Sequence, residues 1–277
     1  MRAAVLGKPI EHSLSPVIHN AGYVAAGLAD WTYTRHECDE PALARFVDSL
    51  DDTWAGLSLT MPLKEIALSV ADEATPVAAA IGAANTLVLR GGRRVADNTD
   101  APGIVDALAE VGLREADEVA VLGAGGSARA ALAAAQSIGA GAVQVYARRR
   151  EAIAELEPVA SALGLRLEAR SWEEAVRAGD ADLVIATVPK GVTDELRLKW
   201  KPGAVLFDIL YDPWPTPLAA EAERQGVQVL DGLALLLAQA VRQWTQFTGL
   251  DEAPVTAMRA ALYGAVPSRA VTNRPDR

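Results

Sequence analysis

Strand-like and helix-like segments alternate along the first part of the chain. Short apolar or β-branched runs at residues 3–6, 32–37 and 55–59 are typical of strands, and amphipathic stretches at 17–27 and 41–50 are typical of helices. Such alternation is the pattern of α/β folds, in which helices cover the faces of a largely parallel sheet. The first part of the chain is therefore predicted to form an α/β domain.

A second alternating series begins near residue 119. Its strand-like segments are residues 119–122, 143–146, 183–187, 205–208 and 227–230. A helix-like stretch lies between the first two of these segments, and a longer one, which contains Pro158, lies between the second and the third. Strands that are regularly separated by helices predict a doubly wound, Rossmann-like sheet. The fold class predicted for the whole chain is thus α/β with two domains.

A turn signal marks the region between the two series. Gly91 and Gly92 are predicted to join a strand at 86–90 to a strand at 93–96. A helix-like stretch at 101–111 follows, and we place the domain boundary at this helix. The predicted divisions are residues 1–101 for the first domain, residues 102–231 for the Rossmann-like domain, and residues 232–277 for a C-terminal segment.

The C-terminal segment contains two helix-like stretches. One is long and apolar, residues 233–247, and ends before Gly249, while the other spans residues 254–263. Because an apolar helix has to be covered, we expect these helices to return to the first domain and pack on it. Residues 267–277 contain few apolar side chains and are predicted to be disordered.

Composition and charge narrow the range of partners. The chain has 277 residues, of which 51% are hydrophobic, enough for two hydrophobic cores. Its net charge of −10 gives no overall attraction to nucleic acid or to an anionic membrane surface, so we expect neither as a partner. No stretch approaches the roughly 20 apolar residues that span a bilayer, and residues 3–6 are too few for a signal-peptide core.

The cysteine and histidine content argues against disulfides and metal sites. Cys38 is the only cysteine, so no intrachain disulfide can form, and a cytoplasmic location fits this composition. The three histidines, His12, His19 and His36, lack the spacing of zinc ligands. We therefore expect no metal, and we interpret His12 and His19 as structural residues.

A glycine-rich motif follows the first strand of the Rossmann-like series. The strand at residues 118–122 leads directly into a G-x-G-x-x-A motif that opens an alanine-rich helix: Gly123, Ala124, Gly125, Gly126, Ser127 and Ala128. In this context the glycines allow a tight turn and a close approach of the backbone to a pyrophosphate, which the helix N-terminus attracts. The alternative is a glycine-rich turn without a ligand. The strand-turn-helix context favours a dinucleotide site.

Arginines follow the second strand of the same series. An NAD site usually carries an acidic residue there, which binds the ribose hydroxyls. Here the sequence reads Ala147-Arg148-Arg149-Arg150. Guanidinium groups bind a 2′-phosphate, which a carboxylate would repel, so we predict NADP with Arg148 and Arg149 as phosphate ligands. The alternative is a solvated start of an amphipathic helix.

Polar residues follow several strands of the first domain, where open α/β sheets bind ligands. Ser13 and Ser15 lie two positions apart in an extended loop that Pro16 fixes, and their hydroxyls can bind a small polar ligand or merely cap the next helix. Lys64 follows another strand, and Asp100 precedes the boundary helix. Taken in isolation, Lys64 is more often a solvated charge and Asp100 a solvated charge or a helix cap.

Together, these segments resemble the shikimate dehydrogenase family. The matching blocks occur in order over nearly the whole chain: Gly7-x-Pro9 with His12-Ser13-x-Ser15-Pro16, Thr60-x-Pro62-x-Lys64, Gly82-Ala-Ala-Asn85-Thr86, Asn98-Thr-Asp100, Gly123-x-Gly125-Gly126, Asp208-Ile-Leu-Tyr211-x-Pro213-x-Pro-Thr216-Pro217-Leu, and Gly232-Leu with Gln239-Ala240. The resemblance implies a two-domain oxidoreductase that acts on a CH–OH group. It would reversibly reduce 3-dehydroshikimate to shikimate with NADPH, a step of chorismate and aromatic amino-acid biosynthesis.

The resemblance also implies roles for individual residues. Lys64 and Asp100 would be catalytic, and Gly232 would join the glycine motif in binding the cofactor. The implied substrate contacts are Ser13, Ser15, Thr60, Asn85, Tyr211 and Gln239. These roles are chemically sound, because oxidation of a secondary alcohol needs a group that accepts a proton as hydride leaves, and hydroxyl and amide groups can recognise the remaining oxygens. No metal is needed, since nicotinamide accepts the hydride.

Some positions depart from the family pattern. The customary Asn-Arg-Thr is here Ala147-Arg148-Arg149, so an amide and a hydroxyl are lost while the positive charge remains. Ser58 replaces a frequent Asn, and Leu235 replaces a common Met. The class of cofactor is therefore better determined than the preference for NADP over NAD.

Two alternative functions stay open at this point. A quinate or aminoshikimate dehydrogenase would share the fold and the catalytic residues, and only a few pocket contacts separate these substrates. A catalytically silent NADP-binding sensor is a different class of protein on the same fold. The sequence leaves the oligomeric state open, and a homodimer is compatible with it.

Overall fold

The computed structural model describes residues 1–266 and confirms the predicted α/β architecture. The strands are β1 (Arg2–Gly7), β2 (Thr32–Glu37), β3 (Trp54–Leu59), β4 (Glu73–Ala74), β5 (Thr86–Arg90), β6 (Arg93–Asp97), β7 (Glu118–Leu122), β8 (Ala142–Ala147), β9 (Arg166–Ser171), β10 (Leu183–Ala186), β11 (Val205–Asp208) and β12 (Gln228–Leu230). The α-helices are α1 (Ser15–Ala25), α2 (Glu40–Asp48), α3 (Pro76–Ile81), α4 (Asp100–Glu110), α5 (Gly126–Ser137), α6 (Arg150–Ala154), α7 (Glu157–Ala162), α8 (Pro217–Arg224), α9 (Gly232–Thr248) and α10 (Val255–Gly264). Two 3-10 helices span Ile66–Val70 and Trp172–Asp180.

The chain forms two compact units. The first unit contains Met1–Ala78, Ala83–Thr99 and the described chain from Gln239 onward, and the second contains Ala79–Gly82 and Asp100–Ala238. The sequence placed the divisions at residues 101 and 231. In the structure they fall at Thr99 and inside α9, because the second half of that helix packs with the first unit. The predicted disordered tail, residues 267–277, lies outside the described residues.

The first unit is built on a mixed six-stranded sheet in the order β2-β1-β3-β5-β6-β4. β1 pairs in parallel with both β2 and β3, whereas β5 is antiparallel to β3 and to β6. The carboxyl ends of β1 and β3 therefore lie beside the start of β5 and the end of β6. Polar residues from four separate chain segments meet at this edge of the sheet.

The second half of α9 packs on β3 and on α1 in the first unit, and α1 also packs on α10. A Cβ at Gly22 in α1 would lie 2.7 Å from the indole nitrogen of Trp244, and a Cβ at Gly56 in β3 would overlap the ring of Phe247. Trp244 and Phe247 are both buried. Glycine at these two positions lets the large aromatic side chains of α9 approach the backbone closely. This contact fixes α9 against the first unit.

The second unit is a fully parallel sheet in the order β12-β11-β10-β7-β8-β9. Counted from β7 as its first strand, this is the 3-2-1-4-5-6 order of the Rossmann fold. The direction of strand order reverses between β7 and β10, where such sheets bind their ligands. All six alanines of α5 are buried, so that helix packs closely on its neighbours.

Some predicted elements differ in the structure. The stretch containing Pro158 is two short helices, α6 and α7, with Pro158 in the first turn of α7, because proline lacks the N–H that an interior helical position requires. The strand β9 and the helix α8 were not predicted. Within residues 1–266, no helix combines the length and the apolar character needed to cross a bilayer.

Candidate functional site

The loops after β1 and β3 lie side by side in the first unit. The backbone nitrogen of Thr60 donates to Leu6 O at 2.9 Å, and that of Lys8 donates to Met61 O at 2.9 Å. A Cβ at Gly7 would clash with the methyl group of Thr60. Gly7 therefore allows the two loops, which carry Ser13, Ser15, Thr60 and Lys64, to approach each other.

Ser13 and Ser15 lie where β1 leads into α1. Ser15 is buried in the first turn of the helix, and its backbone nitrogen donates to Ser13 Oγ at 3.3 Å. Ser13 itself is partly buried. The N-cap residue of α1 is Leu14, which forms no side-chain cap. Ser13 thus supports the backbone of Ser15, and its hydroxyl remains able to form further hydrogen bonds.

Lys64 follows the loop after β3 and is partly buried. Its carbonyl oxygen accepts a hydrogen bond from Ala84 N at 2.8 Å, and the preceding Leu63 is fully buried. These contacts fix the backbone of Lys64 beside the segment that carries Asn85. Thr60 is also partly buried. It begins the tight turn that precedes Lys64, in which Leu63 N donates to Thr60 O at 2.8 Å.

Asn85 is buried at the start of β5. Its side-chain oxygen accepts hydrogen bonds from Thr99 N at 2.8 Å and from Thr86 Oγ1 at 2.8 Å, and its amide nitrogen donates to Thr99 Oγ1 at 2.9 Å. Its backbone oxygen accepts from Leu59 N at 2.7 Å, and its backbone nitrogen donates to Asp97 O at 3.1 Å. These bonds fix the orientation of the amide group and join the end of β3 to the end of β6.

Gln239 and Asp100 are both largely buried, and each belongs to a helix. Gln239 lies in the half of α9 that belongs to the first unit, and Asp100 is the first residue of α4 in the second unit. Within its own unit, α4 packs on α5. The structure thus brings Ser13, Ser15, Thr60, Lys64 and Asn85 to one edge of the first sheet. Asp100 and Tyr211 belong to the second unit.

Tyr211 follows β11 in the second unit, in a loop held by Asp208. The buried carboxylate of Asp208 accepts hydrogen bonds from Thr216 Oγ1 at 2.8 Å and from Leu210 N at 3.1 Å. Burial raises the pKa of Asp208, and burial also raises the pKa of Tyr211, with a smaller effect from Asp212. Tyr211 is therefore a neutral hydroxyl at physiological pH.

The glycine motif lies at the carboxyl end of β7, where the strand order of the second sheet reverses. Gly123 has a φ of +107°, and a Cβ there would lie 2.7 Å from Thr187 Oγ1, so both the turn and the space require glycine. A Cβ at Gly125 or Gly126 would meet open space, so no protein contact requires glycine at either position. Gly125 is the N-cap of α5 and offers no side chain to its amides. Open space beside uncapped helical amides suits an anionic group such as a pyrophosphate.

The remaining members of the glycine motif differ in burial. Ala124 and Ser127 are partly buried, and Ala128 is fully buried on the strand side of α5. Thr187, at the end of β10, donates its hydroxyl to Leu122 O at 3.0 Å and lines the turn opposite Gly123. Sequence analysis did not single out Thr187, which the strand pairing of β10 with β7 brings to the motif.

Arg148 and Arg149 directly follow β8, the neighbour of β7. Both are exposed, and Arg149 is the N-cap residue of α6. In residues 1–266, no carboxylate lies within ion-pair distance of either guanidinium group. The end of β8 is joined to the motif by Gly123 N, which donates to Tyr146 O at 2.8 Å. Two cations that have no ion-pair partner in the described part of the chain thus lie next to the glycine-rich turn.

Gly232 has a structural explanation within the second unit. A Cβ at this position would clash with Ile209 O, and Gly232 N donates to Leu210 O at 3.0 Å. The first residue of α9 therefore packs directly on the backbone that follows β11. Close packing accounts for the glycine irrespective of any cofactor contact, which stays a prediction.

Buried polar residues behind Asn85 were missed by sequence analysis. Gln243 bridges Ser58 and the Asn85-Thr86 segment through its side-chain amide. One turn further along α9, Gln246 donates to Asp97 Oδ2 at 2.6 Å. The available signal was the spacing of Gln239, Gln243 and Gln246, which places three amides on one face of a helix.

His19 is fully buried among these residues. Its ring stacks on that of Tyr33, with 4.0 Å between the centroids, and burial lowers its pKa to about 3. Burial also raises the pKa of Tyr33. Both rings are neutral at physiological pH. Among residues 1–266, no cluster of His, Cys, Asp or Glu has the arrangement of a metal site.

Several known proteins with similar sequences and structures are described as shikimate dehydrogenases. The family model of the shikimate dehydrogenase substrate binding domain matches residues 5–87. A shikimate dehydrogenase (NADP(+)) of Desulfitobacterium hafniense is 36% identical over 95% of this chain and 97% of that protein. A shikimate dehydrogenase structure from Mycobacterium tuberculosis has a TM-score of 0.87 and 39% identity, over 95% of this chain and 99% of that chain. A Thermus thermophilus shikimate 5-dehydrogenase in complex with NADP(H) and shikimate has a TM-score of 0.83 and 32% identity, over 96% and 99% of the two chains.

Proposed function

The chain belongs to the shikimate dehydrogenase family, and from this membership we propose that it catalyses the reversible NADPH-dependent reduction of 3-dehydroshikimate to shikimate. The observation that carries the proposal is the convergence of Ser13, Ser15, Thr60, Lys64 and Asn85 at one edge of the first sheet. These residues come from three separate segments of the chain. Their common location supports a single binding site for a small polar molecule.

The substrate is a cyclohexene carboxylate with several hydroxyl groups. A site that recognises it needs several hydrogen-bonding groups at fixed positions. The hydroxyls of Ser13, Ser15 and Thr60 can both donate and accept, as can the amides of Asn85 and Gln239. Tyr211 adds a neutral phenol. We assign all six as substrate contacts. A neutral set of donors and acceptors suits a ligand whose specificity lies in its hydroxyl groups.

Lys64 is assigned the proton transfer at the reacting oxygen. In the reduction its ammonium group donates the proton to the oxygen that becomes the hydroxyl, and in the oxidation its amine accepts that proton. Asp100 is assigned to orient the reacting hydroxyl. The fixed backbone of Lys64 limits the positions that its side chain can reach. This restraint supports a role that depends on orientation.

The glycine motif and the arginines are assigned to the cofactor. NADP, when bound, supplies the site from which hydride leaves or to which it is added. The amides at the start of α5 would hold the pyrophosphate at Gly125 and Gly126, with Ala124 and Ser127 beside it, and Arg148 and Arg149 would bind the 2′-phosphate. The open space at Gly125 and Gly126 supports this assignment. We also infer a cytoplasmic location, since the one cysteine, Cys38, is free.

The decisive test is a steady-state assay of nicotinamide absorbance with a panel of cyclic hydroxy acids. Shikimate, quinate and an aminoshikimate are each tested with NADP⁺ and with NAD⁺. We expect the highest kcat/KM for shikimate with NADP⁺. A higher value for quinate or the aminoshikimate would reassign the substrate. Thermal stabilisation by NADP⁺ without any turnover would instead identify a silent sensor.

A further inference from the structure

Gln243 lies one helical turn beyond Gln239 in α9 and is buried. Its Oε1 accepts a hydrogen bond from Ser58 Oγ at 2.7 Å. Its Nε2 donates to Asn85 O at 3.1 Å and to Thr86 Oγ1 at 3.0 Å. One amide therefore connects the end of β3 to the start of β5. Both of its polar atoms have partners, so the two ends of the amide are not interchangeable.

The direction of these bonds is set from one end. The phenol of Tyr33 donates to Ser58 Oγ at 2.6 Å, so the single hydroxyl proton of Ser58 is available for Gln243 Oε1. Tyr33 remains a phenol because burial raises its pKa. The amide of Gln243 must then present its nitrogen to Thr86, whose own proton is available for Asn85 Oδ1. The donors thus run in one direction from Tyr33 to Asn85.

Reversing the amide of Gln243 would interrupt this order. Its oxygen would then face Asn85 O and Thr86 Oγ1, and two oxygens cannot share a hydrogen bond without a proton. Thr86 would donate to Gln243 and no longer to Asn85. Because Ser58, Asn85, Thr86 and Gln243 are all buried, water cannot replace the lost partners, and each unpaired group is costly.

We propose that Gln243 is a positioning residue for substrate binding, which acts by holding Asn85 in the orientation in which its amide recognises the substrate. The inference rests on the proposed function, in which Asn85 contacts shikimate. Gln243 fixes Asn85 twice, at its backbone oxygen and, through Thr86, at its side-chain oxygen. It contacts neither substrate nor cofactor in this assignment.

The first test separates substrate binding from the other steps of the reaction. Gln243→Leu keeps the approximate volume and removes both polar atoms, and we expect it to raise the KM for shikimate at least fivefold. The KM for NADP⁺ should change less than twofold. Met258→Ala is the matched control, because Met258 is buried next to Gly22 in the same unit but carries no polar group of this network. The control should lower thermal stability while keeping the KM for shikimate within twofold.

A second variant tests the direction of the hydrogen bonds. In Gln243→Glu the new carboxyl group, when protonated, can accept from Ser58 and donate towards Thr86, but as a carboxylate it can only accept. We expect the ratio of variant to wild-type KM for shikimate to be near one at low pH and to rise at least fivefold with increasing pH. A purely structural role predicts a ratio independent of pH.

A double mutant shows whether the effect passes through Asn85. Asn85→Ala alone should raise the KM for shikimate, and adding Gln243→Leu to it should change the KM less than twofold.

If Asn85→Ala raises the KM but Gln243→Leu in the wild-type background does not, the inference fails and the proposed function stands. A wild-type enzyme that does not oxidise shikimate would overturn both. If Gln243→Leu does not fold, Tyr33→Phe replaces it, and an unchanged KM in that variant would overturn the inference.

Discussion

Replacing Arg148 and Arg149 together with alanine tests how the cofactor is selected. Both side chains are exposed at the end of β8, beside the glycine-rich turn, and no carboxylate among residues 1–266 pairs with them. In an NAD enzyme this position carries a carboxylate that binds the ribose. NAD lacks the 2′-phosphate, so the double replacement should affect NADP⁺ alone. The ratio of the two cofactors' kcat/KM values is therefore the quantity to measure.

The size of the effect follows from the exposure of the two guanidinium groups. Charge-assisted hydrogen bonds contribute about 1.5–3 kcal/mol each when well formed. Solvent screening lowers this contribution for exposed groups. We take half of it for each guanidinium group, which gives about 1.5–3 kcal/mol for the two groups together. At about 1.4 kcal/mol per factor of ten, the KM for NADP⁺ should rise between about tenfold and about a hundredfold. The KM for NAD⁺ should stay within about twofold.

The assay compares four proteins under two salt conditions. Arg150→Ala is the matched control, because it removes a guanidinium from the same run, at the first position of α6, without an assigned contact to phosphate. The other proteins are the wild type, the double variant and Arg149→Ala. Added salt should reduce the wild-type preference for NADP⁺, because the interaction is screened. Equal losses with both cofactors would mean that these arginines support the fold or the pyrophosphate, and no change would mean a solvated helix start.

Other parts of the site and the core give further expected outcomes. Lys64→Ala should keep its affinity for NADP⁺, measured by equilibrium titration, and lose most of its kcat, since proton transfer is assigned to Lys64; near-normal turnover would remove Lys64 from the mechanism. Ser13→Ala and Gln239→Ala should each raise the KM for shikimate roughly fivefold, the equivalent of about 1 kcal/mol for a lost hydrogen bond. An unchanged KM in both would place the pocket elsewhere. Below about pH 6.5 the unfolded chain protonates His19 while the buried ring, with its pKa of about 3, stays neutral, so stability falls with decreasing pH. His19 should contribute about 1.4 kcal/mol per pH unit to the slope of unfolding free energy against pH, measured by urea denaturation. The slope of His19→Phe should be smaller by that amount, and equal slopes in the two proteins would contradict the lowered pKa.

The second unit was the more predictable part of the fold because its signals are local. Strands β7, β10 and β11 are buried along nearly their whole length and appear in the sequence as continuous apolar runs. By contrast, β9 is an edge strand with no fully buried residue, and Leu167 and Ala169, its only apolar residues, give an alternation too short and weak to predict a strand. The two-residue strand β4 is exposed as well. Such strands are specified by their neighbours in the sheet more than by their own side chains.

The segments that carry the candidate substrate contacts could be identified from the sequence, but not how they are held. Sequence blocks name Asn85 and Gln239, because their residue types and spacing match those of the family. The bonds that orient Asn85 come from Thr99 and, by way of Gln243, from Ser58. Ser58 appears in the sequence only as a departure from the family pattern. In the structure it is the hydroxyl that determines which way the amide of Gln243 points.

The glutamines of α9 carry a signal in the sequence that predicts buried polar partners. The apolar residues of α9 predicted a helix packed on the first domain, and this left Gln243 and Gln246 without an explanation. A glutamine on the buried face of a helix requires hydrogen-bond partners, so Gln243 and Gln246 imply buried polar groups on whatever element the helix covers. The identity of those groups is a matter of tertiary structure, since Ser58 lies 185 residues away from Gln243 in the sequence. A buried amide in an apolar helix thus predicts that a polar partner exists, and only the packing of α9 on β3 and β5 shows that the partner adjoins a substrate-binding residue.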